Sequence, residues 1–343
     1  MIWPLWFFVL TLLGYCHSYK NLSNDSLKRI SSFSVPERLT IHGDFLAPLL
    51  VPRVAGTAEN ARVRDFIVNH FKRLDWHVEL DTFTDETPFG PKTFSNIIVT
   101  KNPDAPSHLT LAAHFDSKYF ADFDFIGATD SSAPCAILMD IADTLNPLLT
   151  RKDKTLQIIF FDGEEAFQSW TATDSIYGAR HLASKWESSF LAQSVHTSKR
   201  TKLDRIEILV LLDLLGTPNP SINNYYRSSS WLFYKLLELE KRLIQLSIMK
   251  TKADKTGEQL SPMFNPESTM TFQGHLLGDD HVPFLLRGVN VLHIIPYPFP
   301  AVWHNPLDNA ECLDHAVVLN FAVLFRSFVA EYLELDPIPH SEL

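Results

Sequence analysis

Apolar residues recur along this chain in two alternating rhythms. Runs of strand length cover residues 77–83, 94–100, 108–114, 156–161, 206–212 and 289–295, and the later ones are continuously apolar. A run without polar alternation is expected where both faces of a sheet are covered. Between them, residues 133–145, 177–186, 231–246 and 281–287 read as helices, and 317–332 closes the chain with another. Residues 36–75 also read as helical, with Thr57 capping the stretch from Ala58 to Leu74. Strands alternating with helices predict an α/β fold: a single domain with a mostly parallel central sheet flanked by helices. The polar, locally basic stretch 188–205 reads as a solvated surface excursion.

Residues 2–13 break both rhythms. They are almost wholly apolar, interrupted by Pro4, and Cys16-His17-Ser18 follows. A membrane span needs about 20 such residues, so this stretch has the length of a signal-peptide core instead. Residues 1–18 are expected to be a secretory signal, although no basic residue precedes the apolar core; an uncleaved anchor is the rival. Two acceptor triplets, Asn21-Leu22-Ser23 and Asn24-Asp25-Ser26, follow directly. The mature chain, 19–343, is therefore expected to be a secreted glycoprotein with glycans on Asn21 and Asn24 and no membrane contact after cleavage.

Composition narrows the chemistry by exclusion. With 45% hydrophobic residues the chain can build a large core, so global disorder is out. Thirty Lys and Arg against forty Asp and Glu give a net charge of −10, which argues against nucleic acid as the partner. Cys16 lies in the signal region, leaving Cys135 and Cys312: no disulfide framework and no four-cysteine zinc site. A dinucleotide fingerprint, a P-loop, a G-x-S-x-G elbow and an H-E-x-x-H helix are all missing from the sequence.

What remains is polar chemistry at the strand ends, where open α/β sheets gather functional groups. One strand runs into His114-Phe115-Asp116, another into Asp162-Gly163-Glu164-Glu165, and a third into Asp213. A loop delivers Asp130 just before a helix, and Trp303-His304 follows the last strand. Any single acid here could be a helix cap. Together, converging carboxylates and imidazoles repel or sit desolvated unless a cation lies between them. Mixed Asp, Glu and His donors without thiolate suit a catalytic zinc. Adjacent Glu164 and Glu165 point different ways, so one can hold metal while the other serves as acid or base.

These residues resemble the zinc aminopeptidase superfamily, whose pattern is His-x-Asp, Asp, Glu-Glu, Asp, His. More closely, the chain resembles the animal glutaminyl cyclase family. The stretches that carry the likeness are AHFDSKYF (113–120), GATDSSAPCA (127–136), IIFFDGEEAF (158–167), DSIYGARHLA (174–183), LLDLLGTPNP (211–220), DDHVPFLLRGVNVLH (279–293) and PYPFPAVWH (296–304). The resemblance implies one zinc per chain on Asp130, Glu165 and His304, with Glu164 as general acid/base and Asp213 and Asp279 as supporting carboxylates. It also implies a pocket lined by Trp170, Phe299 and Trp303. The implied reaction closes an N-terminal glutamine, or slowly a glutamate, of a peptide or protein to pyroglutamate with loss of ammonia, on a monomer.

Two departures from the pattern stand out. Ala113 occupies a place where relatives carry a cysteine partner for Cys135, and Gly278 replaces a polar residue before Asp279. By residue type alone Trp170 and Phe299 could equally be core aromatics. His281 reads equally as a helix-start residue or a partner to the site. His114 and Asp116 would be structural in a cyclase but would serve a second metal in an aminopeptidase. A di-zinc aminopeptidase and a non-catalytic peptide-binding domain therefore stay open as alternatives.

Overall fold

The computed structural model describes residues 19–191, 200–249, 262–268 and 277–337. The expected signal segment and the middle of the 188–205 excursion lie outside these residues. All the expected strands form, and they join in one sheet. They are β1 (His77–Thr87), β2 (Gly90–Thr100), β3 (Ser107–His114), β4 (Lys154–Phe161), β5 (Ile206–Leu212) and β6 (Val291–Ile294), in the order β1-β2-β4-β3-β5-β6. The pairs β4–β3, β3–β5 and β5–β6 are parallel, while β1–β2 and β2–β4 are antiparallel. The sheet is therefore mixed. Only Pro88 and Phe89 separate β1 from β2, and so short a connection can join only antiparallel neighbours.

Helices cover both faces: α1 (Asn24–Ser31), α2 (Ala58–Arg73), α3 (Ala133–Leu145), α4 (Tyr177–Ser188), α5 (Ser230–Gln245), α6 (Val282–Leu285) and α7 (His315–Tyr332). Alternate strand residues explain the split. Leu109, Leu111, Ile158, Phe160, Val210 and Leu212 pack with residues of α1, α2, α3, α5 and α7. Their neighbours Ala112, Ile159, Phe161, Leu209 and Leu211 face Leu182 and Trp186 of α4 and Phe284 of α6. Such two-sided burial is what removes polar alternation from these strands. Among the described residues, no helix is long and apolar enough to cross a membrane.

Three expectations need correction. Residues 36–75 are not one helical stretch: short 3₁₀ turns at Pro36–Leu39 and Ala47–Leu49 precede α2. Pro36, Pro48 and Pro52 lack the N–H that a continuing helix would need. Thr57 does cap α2, its Oγ1 accepting from the Asn60 N–H at 3.2 Å. The helix expected over 281–287 shortens to the single turn of α6. Helix α1 was not expected at all; the Ser23 hydroxyl caps it by accepting from the Ser26 N–H at 3.1 Å. Asn21 and Asn24 beside that cap are both exposed.

Candidate active site and metal centre

Because β3, β4, β5 and β6 run parallel, their carboxyl ends open on one edge, and the polar strand-end residues meet there. Asp130 comes from the turn Ala128–Ser132 that leads into α3. Gly127 begins this turn at φ +60°, where an added Cβ would stand 2.1 Å from the Asp130 carbonyl oxygen, so only glycine fits. Asp130, Glu165 and His304 each bring a donor atom within 4.8 Å of the others. His304 Nε2 lies 3.2 Å from Glu165 Oε1 and 3.4 Å from Asp130 Oδ2. Asp130 Oδ2 is buried without a hydrogen-bond partner. An orphaned oxygen facing a carboxylate and an imidazole is what a divalent cation would satisfy, and this Asp-Glu-His donor set fits zinc. His304 takes up a left-handed conformation at φ +55°, uncommon for a residue with a side chain, though histidine is among those that adopt it more readily.

A second ring of groups surrounds this trio. His114 Nε2 lies 2.9 Å from Asp130 Oδ1 and 3.4 Å from Asp213 Oδ1, and Asp213 also accepts a hydrogen bond from the Ser131 hydroxyl. These three acids and imidazoles form another donor set of metal-binding size. Asp116 does something else: its two carboxylate oxygens accept from the N–H groups of Glu164 and Glu165, at 3.1 and 3.2 Å. It fixes the backbone of the glutamate pair. Asp279 Oδ2 is 2.6 Å from His293 Nε2. The His293 ring packs 4.2 Å from His281, whose Nε2 meets the Tyr226 hydroxyl at 2.5 Å. His281 thus both precedes α6 and supports the Asp279 side.

Charge in this crowd is shared by proton shifts. Burial pushes the Glu164 carboxyl well above its ordinary range, and the nearby carboxylates of Glu165, Asp279 and Asp280 push it the same way. Burial and the Asp279 carboxylate raise Asp213 to about 6. Burial opposes a charged His304, yet hydrogen bonds to Asp130 and Glu165 win and lift it to about 9. The cluster holds more acid than its own bases neutralise, a surplus that a bound cation would relieve.

The expected aromatic residues are not core. Trp170 is 46% exposed and Trp303 41%, with Phe299 half-buried. Trp303 stacks on the His304 ring at 4.1 Å, and Phe299 meets Trp303 edge-on at 4.9 Å, so these two flank the metal-donor histidine. Trp170 lies against the backbone of Gly278, next to Asp279: a Cβ on Gly278 would be 2.9 Å from the indole Nε1. The loop that carries Trp170 is shaped by Asp174, which accepts from the N–H groups of Phe167, Gln168 and Ser169.

Comparison with known proteins follows the same geometry. Residues 96–329 match the model of peptidase family M28. A glutaminyl-peptide cyclotransferase of Drosophila melanogaster is 43% identical, covering 83% of this chain and 78% of that protein. One from Dictyostelium discoideum is 40% identical over 92% of this chain and 89% of its own. This chain belongs to the glutaminyl-peptide cyclotransferase family. The crystal structure of Macrostomum lignano glutaminyl cyclase superposes with a TM-score of 0.82 at 38% identity, covering 95% of this chain and 98% of that one. Cys135 and Cys312, whose pairing the sequence left open, are free thiols. Cys135 Sγ instead sits 3.1 Å from the His114 carbonyl oxygen.

Sequence reasoning missed several residues of this region: Arg53, Ser131, Asp174, His293 and Asp308. His293 hides inside the apolar run of β6, and Asp308 in an ordinary polar loop. Asp308 accepts from the Thr129 N–H at 2.8 Å and from the Thr129 hydroxyl at 3.0 Å, tying the His304 loop to the Asp130 turn.

Proposed function

We propose that this protein cyclises the N-terminal glutamine of peptides or proteins to pyroglutamate with release of ammonia, and N-terminal glutamate slowly. The observation that carries the reading is the division of the glutamate pair: Glu165 joins Asp130 and His304, while Glu164 is buried beside them outside that donor set. Asp130, Glu165 and His304 would hold one zinc ion, which when bound supplies Lewis acidity at the substrate's γ-carbonyl oxygen. Glu164 takes a proton from the attacking α-amine and returns it to the departing amide nitrogen. The new bond joins the α-nitrogen to the side-chain carboxamide carbon, Cδ, closing a five-membered ring; the bond from Cδ to the amide nitrogen breaks, and ammonia leaves. Asp213 and Asp279, the latter held by His293, orient the amine beside Glu164. Trp303 and Phe299 keep the folded-back side chain against the donor histidine and exclude water, which favours ring closure over hydrolysis.

The alternative with an observation behind it is a di-zinc aminopeptidase, because His114, Asp130 and Asp213 form a second donor set. The Asp130 and Asp213 oxygens of that set already have hydrogen-bond partners, whereas Asp130 Oδ2, which faces Glu165 and His304, has none, and this favours the one-zinc reading. The deciding experiment incubates purified protein with peptides starting in Gln, Leu or Ala. Loss of one ammonia from the Gln peptide, with no free amino acid released from the others, is expected. Trimming of Leu and Ala peptides with two zinc ions per chain would establish the aminopeptidase instead. We also propose export: residues 1–18 removed, glycan on Asn21 and Asn24, and a secreted monomer, checked by mass spectrometry and sedimentation of the secreted product.

A further inference from the structure

Arg53 has no solvent exposure, yet every hydrogen bond its guanidinium donates goes to a main-chain carbonyl. Nε reaches the Phe115 oxygen at 2.6 Å, between His114 and Asp116. Nη1 bonds the Ile126 oxygen, and Nη2 bonds those of Gly127 at 3.2 Å and Asp130 at 3.3 Å. Longer bonds at 3.3 Å reach Leu49 and Val51. Three separate segments are thus gathered by one side chain. Its backbone adds to this: the Arg53 N–H donates to the Ser117 hydroxyl at 2.9 Å. The Arg53 carbonyl accepts from Asn60, which also holds Asp162 at the head of the Glu164-Glu165 segment.

Burying a guanidinium is costly unless its donors and its charge are both answered. Carbonyls answer the donors; burial still disfavours the charge, and the carboxylates of Asp116, Asp130 and Asp308 oppose that cost without direct ion pairs among the described residues. All three acids belong to the donor site or to the loops that frame it. From the other side Asp308 holds Thr129, so the Asp130 turn is fixed between Arg53 and the His304 loop. A lysine cannot replace this arrangement, because a point charge with three donors does not span a fork of carbonyls.

We propose that Arg53 is a positioning residue of the metal centre: it gathers the carbonyls around residue 130, aims the Asp130 carboxylate at Glu165 and His304, and gives the acidic cluster a built-in counter-charge. The inference rests on the zinc reading of that trio. Residues that orient metal ligands typically change affinity by about 10–100-fold when replaced. The test titrates zinc into chelator-stripped full-length protein against a competing chelator, for wild type, Arg53→Lys, Ser117→Ala and Arg326→Met, with thermal melts of each. Arg326→Met breaks a buried ion pair away from the site and controls for general loosening.

The expected result is a zinc Kd weakened about 10–100-fold in Arg53→Lys while it is still folded. A smaller loss is expected in Ser117→Ala, and an unchanged Kd in Arg326→Met despite its lower melting temperature. Wild-type affinity in folded Arg53→Lys overturns the proposal, as does equal weakening in Arg326→Met. Should Arg53→Lys fail to fold, unchanged affinity in Ser117→Ala overturns it. Failure of the wild type to bind zinc sinks the metal reading itself, and is told apart by that control.

Discussion

Helix α3 joins two charged clusters that could hardly differ more. Towards its C-terminal half, Asp140 pairs with Arg326 of α7, both without solvent exposure, and one turn on Asp143 pairs with Arg38. Each acid there has its own base. Ahead of its N-terminus, Asp130 meets Glu165, His304 and His114, with Asp116, Glu164, Asp213, Asp279 and Asp280 close by. There acids outnumber bases, and both carboxylate oxygens of Asp280 are buried with no partner. A matched buried pair specifies how two helices pack. A buried surplus of one sign has no packing purpose and points to a cation or a reaction.

The largest expected effect breaks the site without breaking the fold. Glu164→Gln fills the same space but cannot shuttle a proton, so turnover should fall about 10²–10⁴-fold with KM much less affected and zinc retained. Glu165→Gln should instead lose zinc, since a neutral amide is a poorer ligand. Steady-state kinetics and zinc analysis on both variants check this. If the first sheds its metal and the second keeps it, the two roles are reversed.

At the matched cluster the effect moves from catalysis to stability. Arg326→Met leaves Asp140 buried and unpaired, which should cost about 3–5 kcal/mol in denaturant unfolding, with turnover per bound zinc unchanged. The double variant Asp140→Leu with Arg326→Met should recover most of that loss, because the pair's net worth is small beside the cost of breaking it. A double variant as unstable as the single would mean the pair stabilises beyond mutual neutralisation.

The surplus cluster should respond in the opposite sense. Asp213 has its folded-state pKa raised to about 6 from an ordinary 3.8, so the folded protein binds more protons than the unfolded chain between those values. Stability of the metal-free protein therefore falls as pH rises through that window, and ionised Asp213 is a burden at pH 7. Asp213→Asn should stabilise the metal-free protein by about 1–3 kcal/mol at pH 7 and by little at pH 4. Melts of metal-free protein at the two pH values measure it. A loss of stability at pH 7 would show that the Ser131 hydrogen bond outweighs the charge.

This contrast explains how much could be read beforehand. Continuous apolar runs marked the strands, and strand-end acids stood out because each followed such a run. Position after a strand singled out Glu164, Glu165 and Asp213, and position before a helix singled out Asp130. It was not enough for residues whose role is set by distant backbone. Arg53 in Leu-Val-Pro-Arg-Val-Ala follows no strand, and an arginine isolated among apolar neighbours was the only signal available. His293 reads as a strand interior residue, and only the fold brings it to Asp279. The arms of the β1–β2 hairpin near its turn are partly exposed and polar, so the apolar runs ended short of the true strands.

The smallest expected effect concerns Gly278, which lies against Trp170. Gly278 leaves room for Trp170: a Cβ there would lie 2.9 Å from the indole Nε1 and 3.3 Å from Cε2. Gly278→Ala must push the ring aside. Because Trp170 is 46% exposed, it can swing outward without disturbing the core or the donor residues. The consequence should be confined to substrate binding: KM about 3–5-fold higher, under about 1 kcal/mol, with kcat and zinc content unchanged. Trp170→Ala should raise KM at least as much, and adding Gly278→Ala to it should change nothing further, since the clash has gone. A kcat effect that persists in the double variant would mean that residue 278 acts on Asp279 through the backbone and not through the Trp170 wall.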